Sequence, residues 1–146
     1  MFFKYLLAIE RVLLTFWVGS LWVTGFLVAP TLFVLLEDTT LAGAIAGDLF
    51  RRVGYIGLVC APALLLVNAL ARRGIHWRVL VVFAMLLLVA AGQFGVAPML
   101  AELREQGLSE TARFGRLHGL AGLFYLLSSV LGLVLVTAGP SPGHQS

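Results

Sequence analysis

The sequence predicts an all-α protein, a membrane four-helix bundle, and two observations carry this prediction. Hydrophobic residues make up 60% of the 146-residue chain and charged residues 12%, with a mean hydropathy of +1.00, whereas soluble domains are typically about 45–50% apolar and about 25% charged. Four apolar stretches are also long enough to cross about 30 Å of hydrocarbon, which takes roughly 20 helical residues. A chain this short cannot bury so much apolar surface within itself, so lipid must be the solvent for much of it.

The predicted spans cover approximately Leu13–Val28, Val53–Leu70, Val79–Met99 and Leu117–Ala138. The first is short and is expected to extend back toward Tyr5, because the N-terminus is a poor secretory signal. Glu10 and Arg11 interrupt its apolar run, and no A-x-A cleavage site follows. We expect one domain over residues 1–138 and a disordered tail over residues 139–146, where GPSPGHQS has no apolar period.

A repeated phrase predicts where the first and third spans end. Residues 26–32 read FLVAPTL and residues 94–100 read FGVAPML. Because proline lacks an N–H and disfavours helix at the preceding residue, both phrases are expected at span exits on one side of the membrane, here called the proline side. A second echo follows, FRRV at residues 50–53 and FGRL at residues 114–117. We interpret the chain as two duplicated hairpins, as in carriers with parallel repeats; coincidence among common apolar residues is the alternative.

The connecting segments and the small residues complete the predicted bundle. Thr39 or Thr40 is expected to cap a helix that opens at Leu41, and Ser109 with Glu110 to cap the fourth. Pro62 falls inside the second span, where neighbouring helices tolerate a kink. The single cysteine, Cys60, allows no internal disulfide. Glycine, alanine and serine recur in every span and are expected to pack the helices against each other rather than against a second copy.

The charged residues predict the orientation of the chain in the membrane only weakly, because each side carries five lysine and arginine residues in total. One side carries Lys4, Arg11, Arg72, Arg73 and Arg78, and the proline side carries Arg51, Arg52, Arg104, Arg113 and Arg116. The short arginine-dense loop ARRGIHWR favours cytoplasmic N- and C-termini in a cell inner membrane. These cations sit at helix ends and form no clustered basic face, so nucleic acid is not an expected partner.

Polar groups near the hydrocarbon are expensive and often functional. On the proline side they are Asp48, Arg51, Arg52, Tyr55, Gln93, Arg116 and His118; on the other side they are Glu10, Arg11, Asn68, Arg72, Arg73, His76 and Arg78. The first set is the more promising, because the carboxylate can pair with arginines three and four residues later. The predicted site for a ligand or partner is therefore Asp48, Arg52, Gln93 and His118.

Each of these residues also has a plain structural interpretation. His118 could bond a backbone carbonyl or Asp48, handle a ligand or proton, or ligate a metal or haem with Met99 as the only axial partner on its side. Haem between two histidines is disfavoured, because His76 lies about 30 Å away across the membrane. The aspartate–arginine group could be an interfacial ion pair, and Gln93 an interhelical hydrogen bond.

A set of short motifs resembles a known family. In order along the chain they are Trp17-Val18-Gly19, Phe26, Ala29-Pro30-Thr31-Leu32-Phe33, Gly47, Phe50, Ala97-Pro98 and Phe114-Gly115-Arg116-Leu117-His118-Gly119-Leu120. They resemble the small membrane proteins similar to transmembrane protein 205, and the resemblance extends to about Ala138. It implies a four-helix membrane protein and carries no established reaction.

The function predicted from the sequence is that of a non-enzymatic integral membrane protein that binds a small ligand or a partner at one leaflet. No phosphate-binding glycine loop, HExxH, CxxC or nucleophile elbow occurs in the chain. The partners expected are the lipid bilayer and either a second copy or another membrane protein, and no cofactor is predicted. A haem or metal redox protein and a transporter subunit completed by dimerisation are the alternatives.

Overall fold

The computed structural model describes residues 2–71 and 74–138, and within them the chain forms four long helices. Each is long and apolar enough to cross a membrane: Phe3–Leu35, Thr39–Leu70, Trp77–Glu105 and Ala112–Thr137. The all-α four-helix membrane architecture is therefore confirmed. The predicted disordered tail at residues 139–146 and the arginines at positions 72 and 73 lie outside the described residues.

Two of the four membrane helices are continuous and two contain a π-helical segment. The first consists of α1 (Phe2–Trp22), a π-helical segment (Val23–Val28) and α2 (Ala29–Leu35), and the second is α3 (Thr39–Leu70). The third consists of α4 (Trp77–Ala90), a π-helical segment (Ala91–Val96) and α5 (Ala97–Glu105), and the fourth is α6 (Ala112–Thr137).

The first and third membrane helices continue past the prolines that were expected at the span exits. Pro30 and Pro98 lie at the start of α2 and α5, and each helix runs on through its proline. A π-helical turn accommodates the ring, which would otherwise clash with the carbonyl four residues earlier. The N–H of Ala29 accordingly bonds the carbonyl of Thr24, five residues back. The two π-helical segments start at residues 23 and 91, the same spacing of 68 that separates the prolines, which favours the duplicated-hairpin interpretation.

Helix starts depart from the predicted caps by one to two residues. The N-cap of α3 is Asp38, whose carboxylate accepts the N–H groups of Thr40 and Leu41 at 2.8 and 3.1 Å. The N-cap of α6 is Thr111, whose hydroxyl accepts the N–H of Phe114 at 3.3 Å. The predicted caps Thr39 or Thr40 and Ser109 with Glu110 are therefore wrong. In both cases a better-placed acceptor satisfies the open N–H groups of the first turn.

The helices pack in a square, each beside the next along the chain, with α1 closing against α6. Trp17, Met85 and Leu135 are the largest fully buried side chains. Trp17 packs over Gly57, where an added Cβ would lie 2.7 Å from the indole nitrogen. Large side chains thus fill the bundle interior, and glycines on neighbouring helices leave the space that they occupy, as expected for packing in lipid.

Packing through glycine is not uniform along the chain. Gly132 admits Val18 and Met85, whereas Cβ atoms built at Gly115, Gly119 and Gly122 would meet nothing within 4 Å. The expectation that small residues pack the four helices together therefore holds in the core and is wrong for the outer face of α6. Cys60 is buried as expected, and Pro62 lies inside α3 without interrupting it.

Candidate functional site

Asp48 and the two arginines that follow it form an ion-pair group on α3. The Nε of Arg52 donates to Oδ2 of Asp48 at 2.7 Å, and the guanidinium of Arg51 donates to the other carboxylate oxygen. The arginine side chains are 58% and 72% exposed, and that of Asp48 is 35% exposed. The pairing predicted from the i, i+3 and i, i+4 spacing is confirmed. Two guanidinium groups share one carboxylate, so the group has a net charge of +1.

Gln93 joins this group from the third membrane helix. Its Nε2 donates to the backbone carbonyl of Arg51 at 2.9 Å, and its amide packs directly on Gly54. Gln93 lies in the second π-helical segment, whose wider turn carries it next to α3. The interpretation of Gln93 as an interhelical hydrogen bond is confirmed. We call Asp48, Arg51, Arg52 and Gln93 the proline-side cluster.

His118 lies apart from the proline-side cluster. It is exposed on α6, and its ring stacks on Phe114 of the same helix, with ring centroids 6.1 Å apart and planes 7° from parallel. None of the hydrogen bonds found among the described residues links it to Asp48, and α6 lies diagonally across the bundle from α3. The structure therefore brings together three of the four predicted site residues and leaves His118 on another face.

Arg104 is a proline-side residue whose role the sequence analysis missed. Its guanidinium lies over the helix face formed by Gly43 and Gly47, donating to the Gly43 carbonyl at 3.5 Å. It also lies 5.8 Å from the centre of the Phe114 ring. Gly43 and Gly47 form a GxxxG pattern, which indicates close approach to the helix, and the group that approaches is an arginine of the same chain instead of another helix.

A second polar cluster is buried at the opposite end of the bundle. The Nη2 of Arg78 lies 3.3 Å from Oε1 of Glu10, and its Nη1 donates to the carbonyl of Leu135 at 3.1 Å. The two charged side chains are only 7% and 12% exposed. Leu135 is in the last turn of α6, where carbonyls lack helical donors and a cation is favourable. Arg78 therefore ties together α1, α4 and α6.

Asn68 and His76 are partly exposed and adjoin this enclosed pair. We call Glu10, Asn68, His76 and Arg78 the buried cluster, after its charged pair. The amide of Asn68 donates to the carbonyl of Gly74 at 3.0 Å, and Nδ1 of His76 lies 3.3 Å from the same oxygen. The four residues line a cavity of about 30 Å³, room for about one water molecule. The sequence analysis did not predict that the charged pair of this set would be enclosed. The signal was present, because Glu10 interrupts an apolar run.

The described residues contain neither a group of metal ligands nor, beside Glu10 and Arg78, a cavity large enough for a typical small molecule. Across residues 2–71 and 74–138, no three histidine, cysteine, aspartate or glutamate side chains come together in a group that could hold a metal ion. Small-molecule pockets typically enclose about 300–1,000 Å³, about ten times the volume beside Glu10 and Arg78 or more. The two arginines of the proline-side cluster are instead exposed on α3, so their geometry suits a molecule that lies beside the bundle.

Comparison with known proteins places this bundle in a family. A family model described as Domain of unknown function (DUF4149) matches residues 12–109, which is 98 of 146 residues. The chain belongs to this family. Within the DUF4149 match lie Asn68, His76 and Arg78 of the buried cluster, both π-helical segments and the proline-side cluster, whereas Glu10 precedes the match and the Phe114–Leu120 motif follows it. The narrower resemblance to transmembrane protein 205 stays a prediction. No curated protein and no solved structure matches the chain.

Proposed function

We propose that this DUF4149 protein is a non-enzymatic, multi-pass protein of the cell inner membrane that binds an anionic membrane component at one leaflet. The observation that carries the proposal is the exposure of two guanidinium groups at the edge of the apolar bundle, held by a single carboxylate. Guanidinium groups bind phosphate and carboxylate oxygens through two parallel hydrogen bonds. The ligand contacts are assigned to Arg51 and Arg52, with Asp48 and Gln93 as positioning residues.

Gln93 fixes the backbone beneath the arginines, and Asp48 holds both side chains on one helix face. Preordered cations lose less conformational freedom when a ligand binds than free side chains do. His118 lies on a separate face and is proposed as a second contact to the same leaflet. The narrower family, similar to transmembrane protein 205, is also a proposal here, as are cytoplasmic N- and C-termini.

The test is to identify what co-purifies with the protein from native membranes in mild detergent, by mass spectrometry of bound lipids, cofactors and subunits. We expect an anionic component on the wild type that is lost from Arg52→Gln. Arg116→Gln is the matched control, because Arg116 is an exposed arginine of α6 on the same side of the membrane. Equal amounts of the same anionic components on the wild type and Arg52→Gln would contradict the proposal.

A further inference from the structure

An open groove runs along the outside of the bundle between α1 and α3. Its volume is about 440 Å³, within the range of about 300–1,000 Å³ that ligand sites typically occupy. Phe16, Gly19 and Val23 line it on the first membrane helix, and Val53 and Ile56 line it on α3. Gly19 forms an indentation, because a Cβ built there would meet nothing within 4 Å. The groove faces the hydrocarbon, so its occupant must be apolar.

The length of the groove matches one leaflet of the bilayer. Its lining on the first helix runs from Thr15 to Thr24, and the nine steps between these residues rise about 14 Å at about 1.5 Å per residue. One leaflet contributes about half of the roughly 30 Å hydrocarbon core. Thr24 lies in the π-helical segment that precedes Pro30, so the groove occupies the proline-side half. A membrane-spanning helix of a partner protein would extend well past the other end of the groove.

A net positive charge lies at the proline-side end of this groove. Ile56 lines the groove, and Arg52 precedes it by four residues, one turn nearer the proline side on the same face of α3. The Arg52 side chain is 72% exposed and, with Arg51 and Asp48, forms the group of charge +1. An apolar slot of one-leaflet length that ends at an exposed guanidinium complements an anionic lipid.

We infer that an anionic phospholipid of the proline-side leaflet binds here, with one acyl chain in the α1–α3 groove and its phosphate on Arg52. This inference rests on the proposed function and names its ligand class. Arg52 contributes the headgroup preference, and the groove contributes the chain contact. Tyr55, exposed on α3 three residues after Arg52, lies at the depth where tyrosines favour the boundary between hydrocarbon and headgroups.

The experiment uses purified protein, stripped of lipid and titrated with phosphatidylglycerol or phosphatidylcholine, and counts bound lipid by native mass spectrometry. Gly19→Leu places a leucine side chain in the groove from a position where an added Cβ meets nothing within 4 Å, and we expect it to lower retention of both lipids several-fold. Arg52→Gln should lower the preference for phosphatidylglycerol by about tenfold, the usual scale for losing a hydrogen bond to a charged group.

Two control variants are matched to these changes. Gly122→Leu places the same side chain on the outer face of α6, where an added Cβ also meets nothing, and Arg116→Gln removes an exposed arginine on the same side. Both should bind as the wild type does. If Gly19→Leu fails to fold, Thr15→Phe fills the far end of the groove from an exposed position.

The outcomes separate this inference from the proposed function. Loss of lipid retention in Gly19→Leu together with loss of headgroup preference in Arg52→Gln supports both. If Arg52→Gln loses the preference while the groove-filling variants retain lipid as the wild type does, anion binding stands and the groove assignment is overturned. If neither variant differs from its control, the bound lipid is annular, and both proposals fall.

Discussion

The two polar clusters of this bundle differ in where their charges lie. The 16 steps from Arg52 to Asn68 rise about 24 Å along α3, so the two clusters lie toward opposite ends of the bundle. In the proline-side cluster the guanidinium groups point outward and are mostly exposed. In the buried cluster, Arg78 and Glu10 are enclosed by helices. An exposed group is available to a ligand, and an enclosed one holds helices together.

The buried pair also relates the two halves of the chain. Glu10 and Arg78 are 68 positions apart, the same spacing that separates Pro30 from Pro98. Equivalent positions of the two hairpins thus meet across the bundle diagonal and carry opposite charges. Two identical hairpins would place like charges opposite each other, which is unfavourable at short range. A single chain that contains both hairpins can instead encode different residues at the two equivalent positions, here Glu10 and Arg78.

The largest effect is expected from Arg78→Met. This variant removes the guanidinium beside the enclosed Glu10 carboxylate and the donor to the Leu135 carbonyl. Breaking a buried ion pair by removing one partner typically costs about 3–5 kcal/mol. We expect a decrease of that size in the free energy of unfolding, measured by equilibrium unfolding in mixed micelles with circular dichroism.

The control for this prediction is Arg116→Met, an exposed arginine that should change stability little. The double variant Glu10→Leu with Arg78→Met should recover most of the loss, because apolar residues can replace a buried pair at little cost. A double variant as unstable as Arg78→Met alone would show that the arginine acts through its carbonyl contact and not through the carboxylate.

Local rules explain which parts of the site could be predicted from the sequence. The pairing of Asp48 with Arg51 and Arg52 follows from their spacing on one helix, and both ion pairs are present in the structure. The apolar runs likewise predict four membrane helices, because length and hydropathy belong to each segment alone. The sequence predicts that Gln93 forms an interhelical hydrogen bond, since an amide in a span needs a partner. It does not predict that the acceptor is the backbone carbonyl of Arg51.

Features that depend on several helices could not be read in the same way. Arg78 lies in the first turn of α4 and resembles a boundary cation in the sequence. Its burial is decided by α1 and α6, which lie far from it along the chain. The continuation through Pro30 depends on a π-helical turn, which the residue-by-residue rule for proline does not include. Local patterns therefore gave the helices, and contacts between distant segments decided which polar groups are enclosed.

A smaller effect is expected from Gln93→Leu, which tests how the proline-side cluster is held. The variant loses the hydrogen bond to the Arg51 carbonyl and places an apolar side chain over Gly54. Interhelical hydrogen bonds typically contribute roughly 0.5–1.5 kcal/mol, and we expect a loss of that size in the same unfolding measurement.

Gln106→Leu is the matched control, because the amide of Gln106 bonds Glu102 of its own chain segment and joins no second membrane helix. Its effect should be smaller than that of Gln93→Leu. A loss in Gln93→Leu as large as in Arg78→Met would remove the distinction between an enclosed cluster that holds the bundle and an exposed one that does not.

The smallest effect on stability is expected from His118→Ala. The contact of this exposed ring is a stack on Phe114 of the same helix, so the free energy of unfolding should change by less than about 0.5 kcal/mol. Because stability is preserved, any change in retention of anionic phospholipid can be assigned to the imidazole itself. Retention equal to the wild type would remove His118 from the binding surface and leave α3 as its location. Reduced retention would instead extend the surface to α6, across the bundle from Arg52.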